Sequence, residues 1–381
     1  MTTELQPVRG LENVVVASTA LSAIDGTAGR LVYAGYDIHD LAERASFEEI
    51  VYLLWYGGLP SAAQLATFTE RLAAERALTP AELDLVRSIP ASGHGMDALR
   101  TLVSGLAQLD AEPDNLAPVA VERIGVRVLA KMPALIGAWD RLRHGLEPAE
   151  PDPALGHAAN VLYLLRGERP SQAAAQALNT YMVLLAEHGL NASTFAARVA
   201  IGAGADAYCA LVAAIGTLKG LVHGGANQKA METFLAIGAP ERVGEYVEAM
   251  LARRDRLMGV GHRIYKVEDP RVRHLRRQVQ LVAQGTDQRW QAIADEVGAL
   301  VAEHPYFTRR QLNPNVEFYS APLLYTLGIP LDLFTAAFAL SRVAGWVGHI
   351  REQLADNRLI RPKADYAGPA PRAFVALEQR G

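Results

Sequence analysis

A chain of 381 residues, half of them hydrophobic and 20% charged, has ample material for a large core and is not a disordered polymer. Its length exceeds the usual size of one core, which predicts two domains. A net charge of −4 with no basic block argues against nucleic acid as a partner, and the single cysteine, Cys209, excludes an internal disulfide and a cysteine-built zinc site.

The opening "MTTELQPVRGLENVVVAST" has no basic stretch followed by an apolar one, so no signal peptide is expected. With one cysteine, that fits a reducing cytoplasm. "NVVVAST" and "GRLVYAGY" can form a small hairpin, and almost everything after them reads as helix. "SFEEIVYLLWYGGLPS" carries Ser46 and Glu49 at capping-box spacing and stops at Gly57-Gly58. "TPAELDLVRSIP" repeats the device with Thr79, Pro80 and Glu82. "EPAEPDPALG" reads as a surface loop and "SQAAAQALNTYMVLLAEHG" as a long helix. "AYCALVAAIGTL" (207–218) is too short to span a membrane and reads as a tightly packed internal helix. "ANQKAMETFLAIG" is a helix stopped by Gly238 and Pro240. "DPRVRHLRRQVQLVAQG" places Val272, Leu275, Val279 and Val282 on one face, with Asp269-Pro270 as the expected cap and first position. "PLDLFTAAFALSRVAGWVGHIREQLADN" is a further long helix, and "YAGPAPRAF" a C-terminal tail. No period of 20–50 residues repeats. The fold class is all-α.

Some residues do not suit a passive core. Arg342 lies inside "FTAAFALSRVAGWVGHI", on a helix that should be buried, and an unpaired buried guanidinium costs several kcal/mol. A structural ion pair or a snorkelling side chain would account for it; so would a bidentate grip on a ligand carboxylate. In "MGVGHRIYKVEDPR", His262 follows a Gly-x-Gly that is no dinucleotide fingerprint, since no strand precedes it and no third glycine follows. Arg263, Lys266, Arg271, Arg273, Arg276 and Arg277 cluster there, as a solvated helix face or as a site for a phosphate-bearing anion. His223, in "LVHGGANQ", precedes a helix N-terminus, whose positive end disfavours a charged ring. A neutral imidazole there can donate to a carbonyl oxygen, although turn histidines without a role are commoner. Glu317 sits between Val316 and Phe318 in a short segment bounded by prolines. Desolvation would raise its pKa and suit it to general-base work; exposure or ion pairing is the plainer reading. His188 follows a long apolar helix and Arg361 precedes a proline.

Taken in order, "AIDGTAGRLVYAGYDIHDLAERASFEEIVYLLWYGGLPS", "EHGLNASTFAARV", "HGGAN", "GHRIYKVEDPR", "NVEFYS" and "SRVAGWVGHIREQ…NRLIRP" resemble the citrate synthase family over essentially the whole chain. The resemblance implies a large helical domain (1–224 and 323–381) and a small one (225–322), with the active-site cleft between them. It implies a homodimer whose partner subunit completes each site, and condensation of acetyl-CoA with oxaloacetate followed by thioester hydrolysis. No resident cofactor and no metal are implied. On the matching motifs, His223 would stabilise the enol form, Glu317 would take the acyl α-proton and His262 would polarise the ketone. His188, Arg271 and Arg342 would hold the oxaloacetate carboxylates, Arg361 would enter from the other subunit, and Lys266 would lie near the CoA phosphates. The chain departs from the family pattern at Glu317, where aspartate is usual, and at Ala34, Gly95 and Val222. It also lacks the additional N-terminal region of larger NADH-responsive enzymes, which implies a simple dimer without that control.

Propionyl-CoA is the close alternative substrate, giving a 2-methylcitrate synthase, because one methylene is worth only about 1–3 kcal/mol in a pocket. A metal-dependent hydrolase built on His188, His223, His262 and Glu317 is the alternative from another class, though no HxxxH or HExxH pair is present. In that reading His349 and Glu352, at i and i+3, are better taken as a helix-surface or interface pair. A non-catalytic CoA-binding relative is the third.

Overall fold

The computed structural model describes residues 8–284 and 287–380. Among these, three short strands precede seventeen α-helices. Strands β1 (Ser22–Asp25), β2 (Arg30–Tyr33) and β3 (Tyr36–Asp37) form an antiparallel sheet in that order, with Ile24 opposite Leu31 and Val32 opposite Asp37. The expected hairpin exists, but its first strand is "SAID" and not "NVVVAST", whose valines remain largely exposed.

Helices α1 (Ile38–Arg44), α2 (Phe47–Tyr56), α3 (Ala62–Glu75), α4 (Pro80–Ser88) and α5 (Gly95–Gln108) lead into the long α6 (Pro118–Arg143). Then come α7 (His157–Arg166), α8 (Gln172–Leu185), α9 (Ala192–Gly202) and α10 (Ala207–Leu218). Helices α11 (Ala226–Ile237), α12 (Val243–Ala252), α13 (Val272–Ala283), α14 (Arg289–Glu303), α15 (Pro305–Thr308) and α16 (Val316–Thr326) pack largely on one another. The expected change of domain after residue 322 falls inside α16, at Pro322. Helix α17 (Phe334–Ala355) closes the fold against α2, α6, α8, α9 and α10.

Local chemistry explains the boundaries. Ser46 with Glu49, and Thr79 with Glu82, form complete capping boxes, and Gly57 and Gly238 end α2 and α11 in the left-handed conformation. Helix α13 starts later than expected: Asp269 is not its cap, because the carboxylate turns onto the N–H and guanidinium of Arg271, and regular helix begins at Val272. The predicted apolar face of α13 is buried at Val272, Leu275 and Val279. Glu317 lies in the first turn of α16, and Pro322, expected to bound its segment, falls inside that helix.

The stretch Leu331–Ala355 is the one described helix long and apolar enough to cross a membrane, and its apolar window is wholly buried inside the protein. It is the central post of a helical core.

Two glycines bring backbones into contact and so position the site. The β1–β2 turn rests on the loop that carries His262: Lys266 N donates to Gly26 O at 2.9 Å, and a Cβ on Gly26 would lie 2.2 Å from Ile264 O. On α17, Gly345 N donates to Ala186 O at 3.1 Å, and a Cβ there would lie 2.2 Å from the Glu187 carboxylate.

Candidate active site

The arginine that sequence alone marks as anomalous is deeply buried. Arg342 is 2% exposed; its Nε donates to Leu185 O at 2.7 Å, and its guanidinium stacks 4.7 Å from the Phe338 ring centre. Its two Nη groups have no acceptor among the described residues. Burial pulls its pKa down, while the charge of Glu187 restores part of the loss. Glu187 is itself fully buried and accepts from Ser22 Oγ at 3.0 Å and His349 Nε2 at 3.1 Å. Burial opposes its charge, but His349 and Arg342 outweigh that and hold its carboxyl below the usual range.

Next to Glu187, His188 is buried at the end of α8, with Nε2 3.1 Å from Tyr265 OH. Burial first, then Arg271 and Arg342, pushes its pKa well below the ordinary value, so the ring is neutral. Its ring centre lies 5.6 Å from that of His262. The His262 loop is made by Gly259 and Gly261, both at positive φ, and is held from below by Gly261 N on Asn313 O (2.7 Å) and Asn315 Nδ2 on Gly261 O (2.8 Å). His262 Nδ1 accepts from the backbone N–H of Ile264 (3.0 Å) and Tyr265 (3.2 Å). Both are obligate donors, which assigns the ring proton to Nε2. Burial and Arg271 lower its pKa to about 4.

His223 presents the opposite nitrogen. Its Nε2 lies 2.9 Å from Ser193 Oγ and 3.4 Å from the Ser193 backbone N–H. The N–H can only donate, so the neutral ring carries its proton on Nδ1. Burial and the charge of Arg342 lower its pKa to about 4. Ser193 is fixed in turn by Asn191, the N-cap of α9, and by Trp346 Nε1 at 3.2 Å.

Glu317 N–H donates to Asn315 Oδ1 at 3.1 Å, so the N-cap of α16 holds its backbone. No hydrogen bond reaches its carboxylate among the described residues. Burial raises its pKa, and Arg271 only partly opposes this. Arg271 is 2% exposed and forked onto Asp269 through Nε–Oδ1 (2.9 Å) and Nη2–Oδ2 (2.7 Å), and Nη1 has no acceptor among the described residues.

His188, His223, His262, Arg271, Glu317 and Arg342 therefore form one electrostatic cluster, each responding to the charge of at least one other. Two expected residues lie outside it in this chain. Lys266 and Arg361 are exposed, the latter on the tail after α17. A cavity of about 370 Å³ beside His262 is lined instead by Arg256 and Arg263. The basic cluster of 263–277 disperses: Arg271 turns inward, Arg276 pairs with Asp295 and Arg273 leans on His274. His349 is no surface residue. It is fully buried, with Arg198 Nη1 3.1 Å from Nδ1; the expected Glu352 carboxylate lies 3.8 Å from the same nitrogen, and Nε2 pairs more closely with Glu187 at 3.1 Å. Among the described residues no three His, Cys, Asp or Glu side chains gather to hold a metal ion.

Sequence reading missed Tyr265, Ser193, Asn315 and Glu187. Asn315 carried a legible signal, an asparagine two residues before an acid at a helix start; the others depend on contacts between distant segments.

Residues 10–363 match the family model described as "Citrate synthase, C-terminal domain". The chain is 44% identical to citrate synthase 2 of Bacillus subtilis, covering 98% of this chain and 99% of that protein. It is 40% identical to a 2-methylcitrate synthase of Mycobacterium tuberculosis, covering 96% and 92%. Among solved structures, citrate synthase from Pyrobaculum aerophilum superposes with a TM-score of 0.90 at 40% identity, covering 97% of this chain and 95% of that one. A ternary complex of carboxymethyl coenzyme A and oxaloacetate with the Thermoplasma acidophilum citrate synthase gives 0.91 at 30% identity, covering 98% and 100%. Matched by the family model over residues 10–363 and by relatives and solved structures over 96–98% of its length, the chain belongs to the citrate synthase family of acyltransferases.

Proposed function

We propose that the protein condenses acetyl-CoA with oxaloacetate and hydrolyses the resulting thioester to citrate and CoA. The observation that carries this reading is a pair of neutral histidines with opposite tautomers beside an unbonded, desolvated glutamate. A thioester α-proton is far less acidic than a carboxylic acid, so its removal requires a donor on the carbonyl oxygen at the same moment. His223 Nδ1–H is that donor, and Glu317 takes the proton. The enol carbon attacks the oxaloacetate ketone, whose oxygen receives the Nε2 proton of His262. Each preorganised donor contributes roughly 3–4 kcal/mol. His188, Arg271 through Nη1, and the free Nη groups of Arg342 hold the two carboxylates. Water then cleaves the thioester and CoA leaves as the thiol.

The small domain of this reading is 225–322, seated on the remainder, and Lys266 with Arg256 and Arg263 meets the CoA phosphates. The active unit is a cytoplasmic homodimer that needs no resident cofactor. Tyr366, Phe374 and Leu377 project uncovered from the tail, at 76%, 86% and 71% exposure, and Arg361 lies on the same segment. A second copy of the chain would cover these side chains and receive the arginine, reciprocally.

The test is CoA release, followed with a thiol reagent, with oxaloacetate and either acetyl-CoA or propionyl-CoA. Higher kcat/KM with acetyl-CoA is expected. Preference for propionyl-CoA, as the 2-methylcitrate synthase relatives suggest, would reassign the acyl substrate. No release with either would reject the reaction.

A further inference from the structure

We propose that Tyr181 is a positioning residue for Glu317: its buried, unpartnered phenol hydroxyl is the donor that the glutamate carboxylate takes up as substrate fills the cleft. This rests on the reading of Glu317 as the base.

Tyr181 lies on α8 at 0% exposure, and its hydroxyl has no hydrogen-bond partner among the described residues. It is exceptional among the buried tyrosines. Tyr33 OH donates to the carbonyls of Leu184 and Glu187, Tyr208 OH and Tyr319 OH donate to Asp110 and Asp295, and Tyr265 OH meets His188. An orphaned buried hydroxyl calls for a reason, because the chain could have used phenylalanine without the desolvation cost.

Its surroundings supply one. One turn further along α8 is Leu185, whose carbonyl holds Arg342, and beyond it His188. Helix α16, with Glu317 in its first turn, packs on α8. The two charges that act on the Tyr181 hydroxyl are those of Glu317 and Arg342. A donor without a partner on α8 and a carboxylate without a hydrogen bond at the start of α16 thus lie on two packed helices, within reach of each other's charge, and the glutamate arm has three rotatable bonds. Arg342 already spends its Nε on Leu185, and its remaining donors cannot accept a phenol proton.

A hydrogen bond to the ionised carboxylate fixes the direction of the oxygen that meets the α-proton. It also favours the charged form, opposing burial together with Arg271 and Arg342 and against the like charge of Asp269.

The test is Tyr181→Phe in the full-length protein. The expected result is a fall in kcat of about tenfold, with KM for oxaloacetate unchanged. The acid limb of the kcat profile moves to higher pH, because the ionised base in the substrate complex has lost a donor, and Tm does not fall. Unchanged kcat and acid limb with a raised Tm would overturn the proposal, leaving a mere orphan hydroxyl. A joint fall of Tm, kcat and both substrate affinities would overturn it in favour of a packing role. Glu317→Gln is measured alongside: normal turnover there would defeat the base assignment itself, whereas an inactive Glu317→Gln beside a fully active Tyr181→Phe defeats only the tyrosine.

Discussion

Two clusters of buried charge make an instructive pair. Between α4 and α6, the Glu82 carboxylate is fully buried and claimed on both oxygens, by Arg127 Nη2 at 2.9 Å and by Lys131 Nζ at 2.9 Å with the Thr79 N–H. Asp110 beside it accepts from Arg123, Tyr208 and the Glu112 N–H. Both carboxyls are held below their usual range, since these partners outweigh burial. In the cleft, among the described residues, no donor reaches the half-buried Glu317 carboxylate, no acceptor reaches the Nη groups of Arg342 and no partner reaches the Tyr181 hydroxyl. The first cluster spends its polar groups on folding; the second leaves them free, as the substrate-binding role proposed above requires.

The sharpest break of that contrast is Glu317→Gln. It should lower kcat by about 10²–10⁴ with Tm unchanged and oxaloacetate still bound, as calorimetry would show; ordinary turnover would remove Glu317 as base. Glu82→Ala should do the reverse. It strands Lys131 in the core and should cost about 3–5 kcal/mol of stability, with normal kcat per folded molecule; denaturant melts and activity at low temperature read the two effects. Arg342→Lys keeps the charge but loses the fork, and should weaken oxaloacetate about 10–10²-fold with acetyl-CoA affinity retained. Equal losses for both substrates would mean that Arg342 serves packing.

The most gradual effect is in pH. His223 and His262 have folded pKa values lowered to about 4, so between about 6.5 and 4 the unfolded chain binds protons that the folded chain refuses. Stability should therefore fall on acidification through that window, by at most about 1.4 kcal/mol per pH unit for each histidine. The depressed Glu82 and Asp110 carboxyls work in a lower range: their contribution is present above the unfolded carboxylate pKa and is lost only as pH falls further. His223→Asn should flatten the upper part of a Tm-against-pH curve and leave the lower part alone. An unaltered slope from pH 6.5 to 4 would contradict the neutral-ring assignment.

What could be read in the sequence was whatever a short window contains. The capping boxes of Ser46 and Thr79, the apolar face of α13 and the burial of Arg342 all follow from local spacing. Asp269 misled because a cap and a salt-bridge partner look alike in a window; only the fold shows its carboxylate bent back onto Arg271. The Glu187–His349 pair spans 162 residues, and no local pattern announces such a contact. "NVVVAST" has strand composition but no partner to bury it. The electrostatic unity of the cleft was legible only through the ordered motifs of the family; no residue implied it alone.

The position of α17 in the chain also constrains how the molecule is made. The helix that α2, α6, α8, α9 and α10 all pack against is synthesised after every one of them. Until it arrives, the earlier helices surround an unfilled groove and Leu185 offers its carbonyl to nothing. A nascent chain stalled before Phe334 would lack the helix that covers those apolar faces. Completion of the core and installation of Arg342 are one event, so a chain that has closed its core already carries this arginine in the cleft.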